Sequence, residues 1–166
     1  MDDIPYENAI DLLDADHKLV KQQFTDYQAL AEDGAPPELK QQLAHKICME
    51  LAVHTQIEEE IFYPEVRKAI KDDKLMDAAM QEHAEAKEQI AQIQGMDADD
   101  EGYDAKVQQL GKAVMEHVME ERERVFLKAQ YSTLDLRGMV PQLFKRKQQL
   151  MGQLQKAAAR GKKVAA

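Results

Sequence analysis

The chain reads as an all-α protein, an up-down-up-down four-helix bundle with one additional C-terminal helix. Three observations predict this. Ala, Glu, Lys, Gln, Leu and Met dominate the 166 residues, and all favour helix, while runs of β-branched residues are missing. Four long segments carry apolar residues at steps of three and four, the stripe of a core-facing helix. Short breaks rich in Gly, Pro or Asp separate those segments, which favours antiparallel neighbours.

The first helix is expected from near Tyr6 to about Glu32, with Ile10, Leu13, His17, Val20, Phe24 and Tyr27 inward. Asp33-Gly34-Ala35-Pro36-Pro37 ends it. The second starts near Glu38 and carries Leu43, Ile47, Leu51, His54, Glu58 and Ile61. Pro64 should kink or end it, with Val66 and Ile70 continuing to about Lys71. His45 lies nine residues before His54, half a turn round the cylinder, and should face solvent. A turn at Asp72-Asp73 leads to the third helix, with Leu75, Met76, Ala79, Met80, His83, Ile90 and Ile93 inward. The acidic stretch from Gly95 to Gly102 lacks the residue order of a calcium loop and reads as a connection. The fourth helix, from Tyr103 to Tyr131, places Val107, Leu110, Val114, His117, Glu121 and Val125 on one face. Ser132-Thr133-Leu134-Asp135 interrupts it. A last amphipathic segment begins near Pro141, with Leu143, Phe144, Leu150, Met151 and Leu154 apolar, and a frayed tail follows from Arg160. Residues 1–135 are thus expected as the bundle and 136–166 as a basic appendage.

Charge and composition narrow the function classes. The net charge is −9. All eight Lys and Arg from Arg137 onward are unopposed by any acid, leaving 14 bases against 31 acids, a net −17, in the preceding part. So acidic a body is a poor partner for nucleic acid. The basic tail could engage a protein partner, although a solvated helix face explains it more simply. The single cysteine, Cys48, fits a reducing compartment and reads as a small helix residue. No apolar run approaches the ~20 residues of a membrane span. The acidic N-terminus lacks the layout of a signal peptide. A soluble cytoplasmic protein is the expectation.

The chemistry sits in the stripes. Each of the four long helices interrupts its apolar face with one histidine: His17, His54, His83 and His117. Helices two and four add a glutamate one turn later, as His54-x-x-x-Glu58 and His117-x-x-x-Glu121. One histidine on an apolar face is ordinarily a satisfied core residue. Four of them, two paired with glutamate, would be a costly polar cluster without a ligand. Four imidazoles and two carboxylates aimed at one interior point suit divalent first-row metals, and two ions better than one. A structural zinc site would want cysteine or four ligands. Ferritin-like di-iron bundles use Glu-x-x-His, and no histidine here has Glu three residues before it. Glu50, one turn before His54, is a candidate substitute ligand or hydrogen-bond acceptor, and Tyr63 and Tyr131 are candidate hydrogen-bond donors to the site, although a surface position is the simpler explanation of each.

The order His17, His54-x-x-x-Glu58, His83, His117-x-x-x-Glu121, together with Asp16-His17 and Glu58-Glu59-Glu60-Ile61-Phe62-Tyr63-Pro64, resembles the hemerythrin-like, or HHE cation-binding, family over residues 8 to 130. The resemblance implies two non-haem iron ions, with His17, His54, His83 and His117 as terminal ligands and Glu58 and Glu121 bridging. Zinc or another divalent ion could take their place in purified protein. Oxygen-carrying members have a further histidine one turn after the third-helix ligand, where this chain has Lys87. They place Asp five residues after the last histidine, where it has Arg122. An open coordination position points away from simple oxygen carriage and toward a small diatomic or peroxide ligand. Peroxide, oxygen or nitric oxide reactivity is the leading expectation. A metal- or oxygen-responsive sensor and an iron store are the alternatives.

Overall fold

The computed structural model describes residues 4–165, with side chains through residue 160. Among the described residues there are five helices. Helix α1 is Ala9–Glu32. Helix α2 runs continuously through residues 37–70, as Pro37–Ile57, a π-helical segment Glu58–Phe62, and Tyr63–Ile70. Helix α3 is Asp73–Gln94. Helix α4 covers residues 103–130, again with a π-helical segment, Glu121–Phe126, inside it. Helix α5 is Val140–Ala165. The tail from residue 161, where fraying is expected, lies outside the described side chains.

Local chemistry sets the boundaries. Asn8 caps α1, its side chain accepting from the Asp11 N–H at 3.0 Å, and Asp72 caps α3 through the Leu75 N–H at 3.1 Å. Each such cap is worth about 1 kcal/mol. The α1 start therefore falls at Ala9, directly after the capping Asn8, not at Tyr6. Lys71 takes a left-handed conformation (φ 52°) between α2 and α3, and Gly102 (φ 94°) does so ahead of α4. Pro64 neither ends nor breaks α2. It is the second residue after the π segment, in the first turn of the helix that resumes at Tyr63, where a missing N–H costs little.

Helices α1 to α4 form the bundle, each packing against its sequence neighbours, with α4 closing back onto α1. Helix α5 lies outside, against α2 and α1. The interior divides into two apolar clusters. One includes Leu12, Leu13, Ile57, Phe62, Met76 and Phe126, and Met139 together with Leu143 and Leu150 of α5 extends it. The other includes Val20, Ile47, Leu51, Ile93, Tyr103 and Leu110. Between them the bundle holds buried Asp16, His17, His54, Thr55, Glu58, His83 and Glu121. The two apolar clusters hold the polar layer in place from either side.

The expected inward faces are largely reproduced, with two corrections. Met80 and Leu154 are each 37 % exposed. Leu154 borders an open groove between α5 and α2. His45 is exposed, and Cys48 is buried, with burial pushing its thiol up to about 12. Among the described residues no helix is long and apolar enough to cross a membrane.

Candidate metal centre

All six expected residues meet in the polar layer, and they do so in two groups. His17, His54 and Glu121 offer ligand atoms within 4.8 Å of one another, and so do Glu58, His83, His117 and Glu121. Glu121 belongs to both. Its Oε1 lies 3.1 Å from His17 Nε2, and its Oε2 lies 3.3 Å from His117 Nε2. Glu58 also faces both halves, with Oε1 at 2.9 Å from His54 Nε2 and 3.5 Å from His83 Nε2. The Nε2 atoms of His17 and His54 face each other at 3.2 Å. Metal–ligand bonds of roughly 2.0–2.2 Å place donors about 3–4 Å apart, which is the spacing found.

The π segments aim the carboxylates. Each begins at the glutamate, and π turns inside α-helices recur at functional sites because the extra residue re-aims the chain. The Tyr63 N–H closes a five-residue turn onto the Glu58 carbonyl. This brings Tyr63, five residues after Glu58, onto the site face. Its ring stacks on His83 with centroids 5.1 Å apart. In α4 the residue five after Glu121 is Phe126, which stacks on His17 at 5.7 Å. The Tyr63 hydroxyl donates to Glu121 Oε2 and lies 3.2 Å from His83 Nε2 and 3.5 Å from His117 Nε2.

Behind the imidazoles stands a ring of carboxylates. His17 Nδ1 faces Asp14 at 3.3 Å, His54 Nδ1 faces Asp16 at 2.9 Å, His83 Nδ1 faces Glu59 at 3.0 Å, and His117 Nδ1 faces Glu82 at 3.5 Å. Carboxylates placed this way fix ring orientation and leave Nε2 free for a metal. Three of them are met by a base: Asp14 by Arg122 at 3.2 Å, Glu59 by Lys87 at 2.8 Å, and Asp16 by Lys147. Lys87 is half exposed and turned to Glu59. Glu50 is half-buried and belongs to neither ligand group, and Tyr131 is 86 % exposed. Tyr63 is the one of these residues whose polar atom enters the site.

The electrostatics suit cations. Burial opposes the imidazolium of His54, yet Glu58 and Asp16 outweigh it and hold its pKa well above the ordinary value. Burial opposes the charged form of His117 too, and Glu121, Glu58 and Glu82 raise it to about 9. Glu121 is held well below the usual carboxylate range because His117 and His17 overcome its burial. Tyr63 is pushed up by burial and by Glu121 and Glu58. Both oxygens of Glu58 and Oε1 of Glu121 are fully buried, and none has a hydrogen bond of acceptable geometry. A buried carboxylate without partners is expensive, and cations bound between the two groups would satisfy it. The donor set therefore fits metal.

A cavity of about 120 Å³ adjoins this layer. Val20, Leu51, Ala86, Ala113 and Val114 line its apolar part, and it reaches exposed Glu85 and Glu116 between α3 and α4.

Comparison with known proteins agrees with the geometry. A DNA nickase from Nostoc sp. (strain PCC 7120 / SAG 25.82 / UTEX 2576) is 29% identical over 119 residues, covering 72% of this chain and 32% of that protein. The chain thus spans about a third of that relative's length. The crystal structure of a hemerythrin HHE cation-binding domain-containing protein from Mycobacterium kansasii superposes with a TM-score of 0.73, at 21% identity and 88% coverage of each chain. Residues 8–129 match the family model of the hemerythrin HHE cation-binding domain. The chain belongs to the hemerythrin HHE cation-binding domain family.

Proposed function

We propose that this chain holds two non-haem iron ions and reacts with a small oxygen species or nitric oxide. His17 and His54 would hold one ion, His83 and His117 the other, with Glu58 and Glu121 shared between them. The observation that carries this reading is the sharing: the two oxygens of Glu121 face opposite histidine pairs, and Glu58 leaves both buried oxygens without hydrogen bonds. Bound iron would supply Lewis acidity and electron transfer at a water-poor site.

The surrounding residues define what could react there. Lys87 does not fill the position left by the absent histidine, because it is committed to Glu59. The Tyr63 hydroxyl stands on that side, between His83, His117 and Glu121. It can hold a proton beside the centre or contribute its oxygen to it. The cavity has room for a few waters or one small molecule. Its apolar walls favour weakly polar oxygen or nitric oxide, and uncharged hydrogen peroxide is small enough to enter. The acids at the surface end disfavour anions.

Protein purified without chelator is expected to contain about two irons per chain by metal analysis. Its visible absorption should change on adding oxygen, peroxide or nitric oxide. Zinc alone, or no metal, overturns the iron reading; two irons with a spectrum indifferent to all three reagents overturns the reactivity.

A further inference from the structure

The basic C-terminal helix lies outside the matched family region, which ends at residue 129, yet one of its side chains reaches the centre. Asp16 is buried, and its two oxygens serve different partners. Oδ2 meets His54 Nδ1 at 2.9 Å, and Oδ1 accepts from the Lys147 ammonium. Lys147 is 19 % exposed, sunk between α5 and the bundle. One residue earlier, Arg146 reaches Glu60 at 2.7 Å nearer the surface. Two adjacent bases thus clip α5 to α1 and α2, the inner one directly behind a histidine of the site.

We propose that Lys147 is a positioning residue of the metal centre, pinning Asp16 against His54 and thereby making α5 part of the site. The proposal rests on the reading of His54 as a metal ligand. A buried carboxylate keeps its charge and place only if its lone pairs are met. With the ammonium in place, Asp16 is held on both sides and cannot turn away from the imidazole. Without it, one oxygen of Asp16 has no partner and the carboxylate is free to rotate away from the imidazole. His54 then loses the acceptor that fixes which ring nitrogen points inward. None of the other three histidines depends on α5: their carboxylates Asp14, Glu59 and Glu82 lie on α1, α2 and α3. The effect is therefore confined to the His17–His54 half.

Cobalt(II) titration of the metal-stripped protein, followed by visible absorption, tests this. Lys147→Met is expected to weaken one of the two binding steps about tenfold, the size usual for groups that orient a ligand, and to leave the other unchanged. Lys147→Arg should restore the step. Lys145→Met, an equal charge loss at an exposed position on the same helix, should titrate like the wild type. Because Asp16 transmits the effect, Lys147→Met combined with Asp16→Asn should be no weaker than Asp16→Asn alone. Should Lys147→Met fail to fold by circular dichroism, Lys147→Gln provides the same measurement, with weakening in the same single step. Wild-type affinity in both steps, equal weakening of both, weakening by Lys145→Met, or additivity in the double variant overturns the proposal. A wild-type protein that takes up no cobalt instead overturns the metal-ligand reading beneath it.

Discussion

The two halves of the candidate centre are near copies with one atom's difference at the point of contact. In each, a helical hairpin supplies one histidine from its first helix and a His-x-x-x-Glu pair from its second. In each, the glutamate opens a π segment, and the residue five positions later stacks on a histidine. Each ring crosses to the other pair: Phe126, from the hairpin with His83, stacks on His17, and Tyr63, from the hairpin with His17, stacks on His83. Phe126 contributes only a ring. Tyr63 contributes a ring and a hydroxyl that reaches Glu121, His83 and His117. The supports differ too. The His17 half is flanked by Arg122 and by Lys147 from α5, whereas His117 in the other half has only Glu82 behind it and is 13% exposed. The first half is braced by Arg122 and by Lys147 from α5; the second is braced by Lys87 alone and carries the phenol.

The shared carboxylates are where this comparison breaks most completely. Glu121→Ala and Glu58→Ala should each abolish stable occupancy of both halves, read as metal content, while His45→Ala changes nothing. Equal behaviour of these variants would sink the shared-carboxylate arrangement. Tyr63→Phe makes the halves alike. It should alter the visible spectrum of the loaded protein while retaining two metals, and cost the metal-free protein about 2 kcal/mol in chemical denaturation, as loss of a hydrogen bond to a charged group does. Phe126→Tyr should not reproduce the Tyr63 spectrum, because its neighbours differ.

The pH response involves both halves, because His54 is raised as well as His117, and His117 defines a window. His117 is raised to about 9 in the metal-free protein, against roughly 6.5 when unfolded. A raised histidine stabilises fully below the unfolded value, and the contribution fades as pH rises through the folded one. Metal-free protein should therefore lose stability between about pH 6.5 and 9. Metal affinity should rise over the same window, since binding displaces the proton. His117→Gln should flatten part of the stability profile; an unchanged profile would mean another group carries it. The smallest effect is expected of Lys87→Met. Its partner Glu59 already meets His83, and Lys87 is half exposed, so the change should stay within about 1 kcal/mol with metal content intact.

The bundle and the six inward residues were legible because helix periodicity is a local signal: a histidine at the phase of Leu51 and Val20 must point where they point. The ring behind them was not legible. Asp16 faces a histidine 38 residues away and a lysine 131 residues away, and nothing in the spacing of either announces the meeting. The basic charge of α5 was visible, but its division into outward residues and an inward Lys147 depends on how the helix docks. Lys87 and Arg122 read as losses against the oxygen-carrying pattern; in the fold they neutralise Glu59 and Asp14. The π segments left a faint trace. After Glu58 the apolar residues Ile61, Phe62 and Tyr63 arrive as a run, not at steps of three and four, which is how a change of helical phase looks in sequence.

That change of phase limits which insertions and deletions the chain can accept. Before Glu58 the buried positions of α2 follow one frame, and after Phe62 they follow another, offset by a residue. Removing a single residue from 58–62 would let the segment close to ordinary α geometry, keeping the faces on either side but losing the five-residue turn that carries Tyr63 onto the site. Removing one from the α-helical stretch before or after it would instead turn the rest of the helix by about 100° and swing its buried residues off the core. The same holds for 121–126 and Phe126. The loop at 99–101, beyond the buried Ala98, can gain or lose residues at little cost. Length in this chain is constrained least between its helices and most inside them.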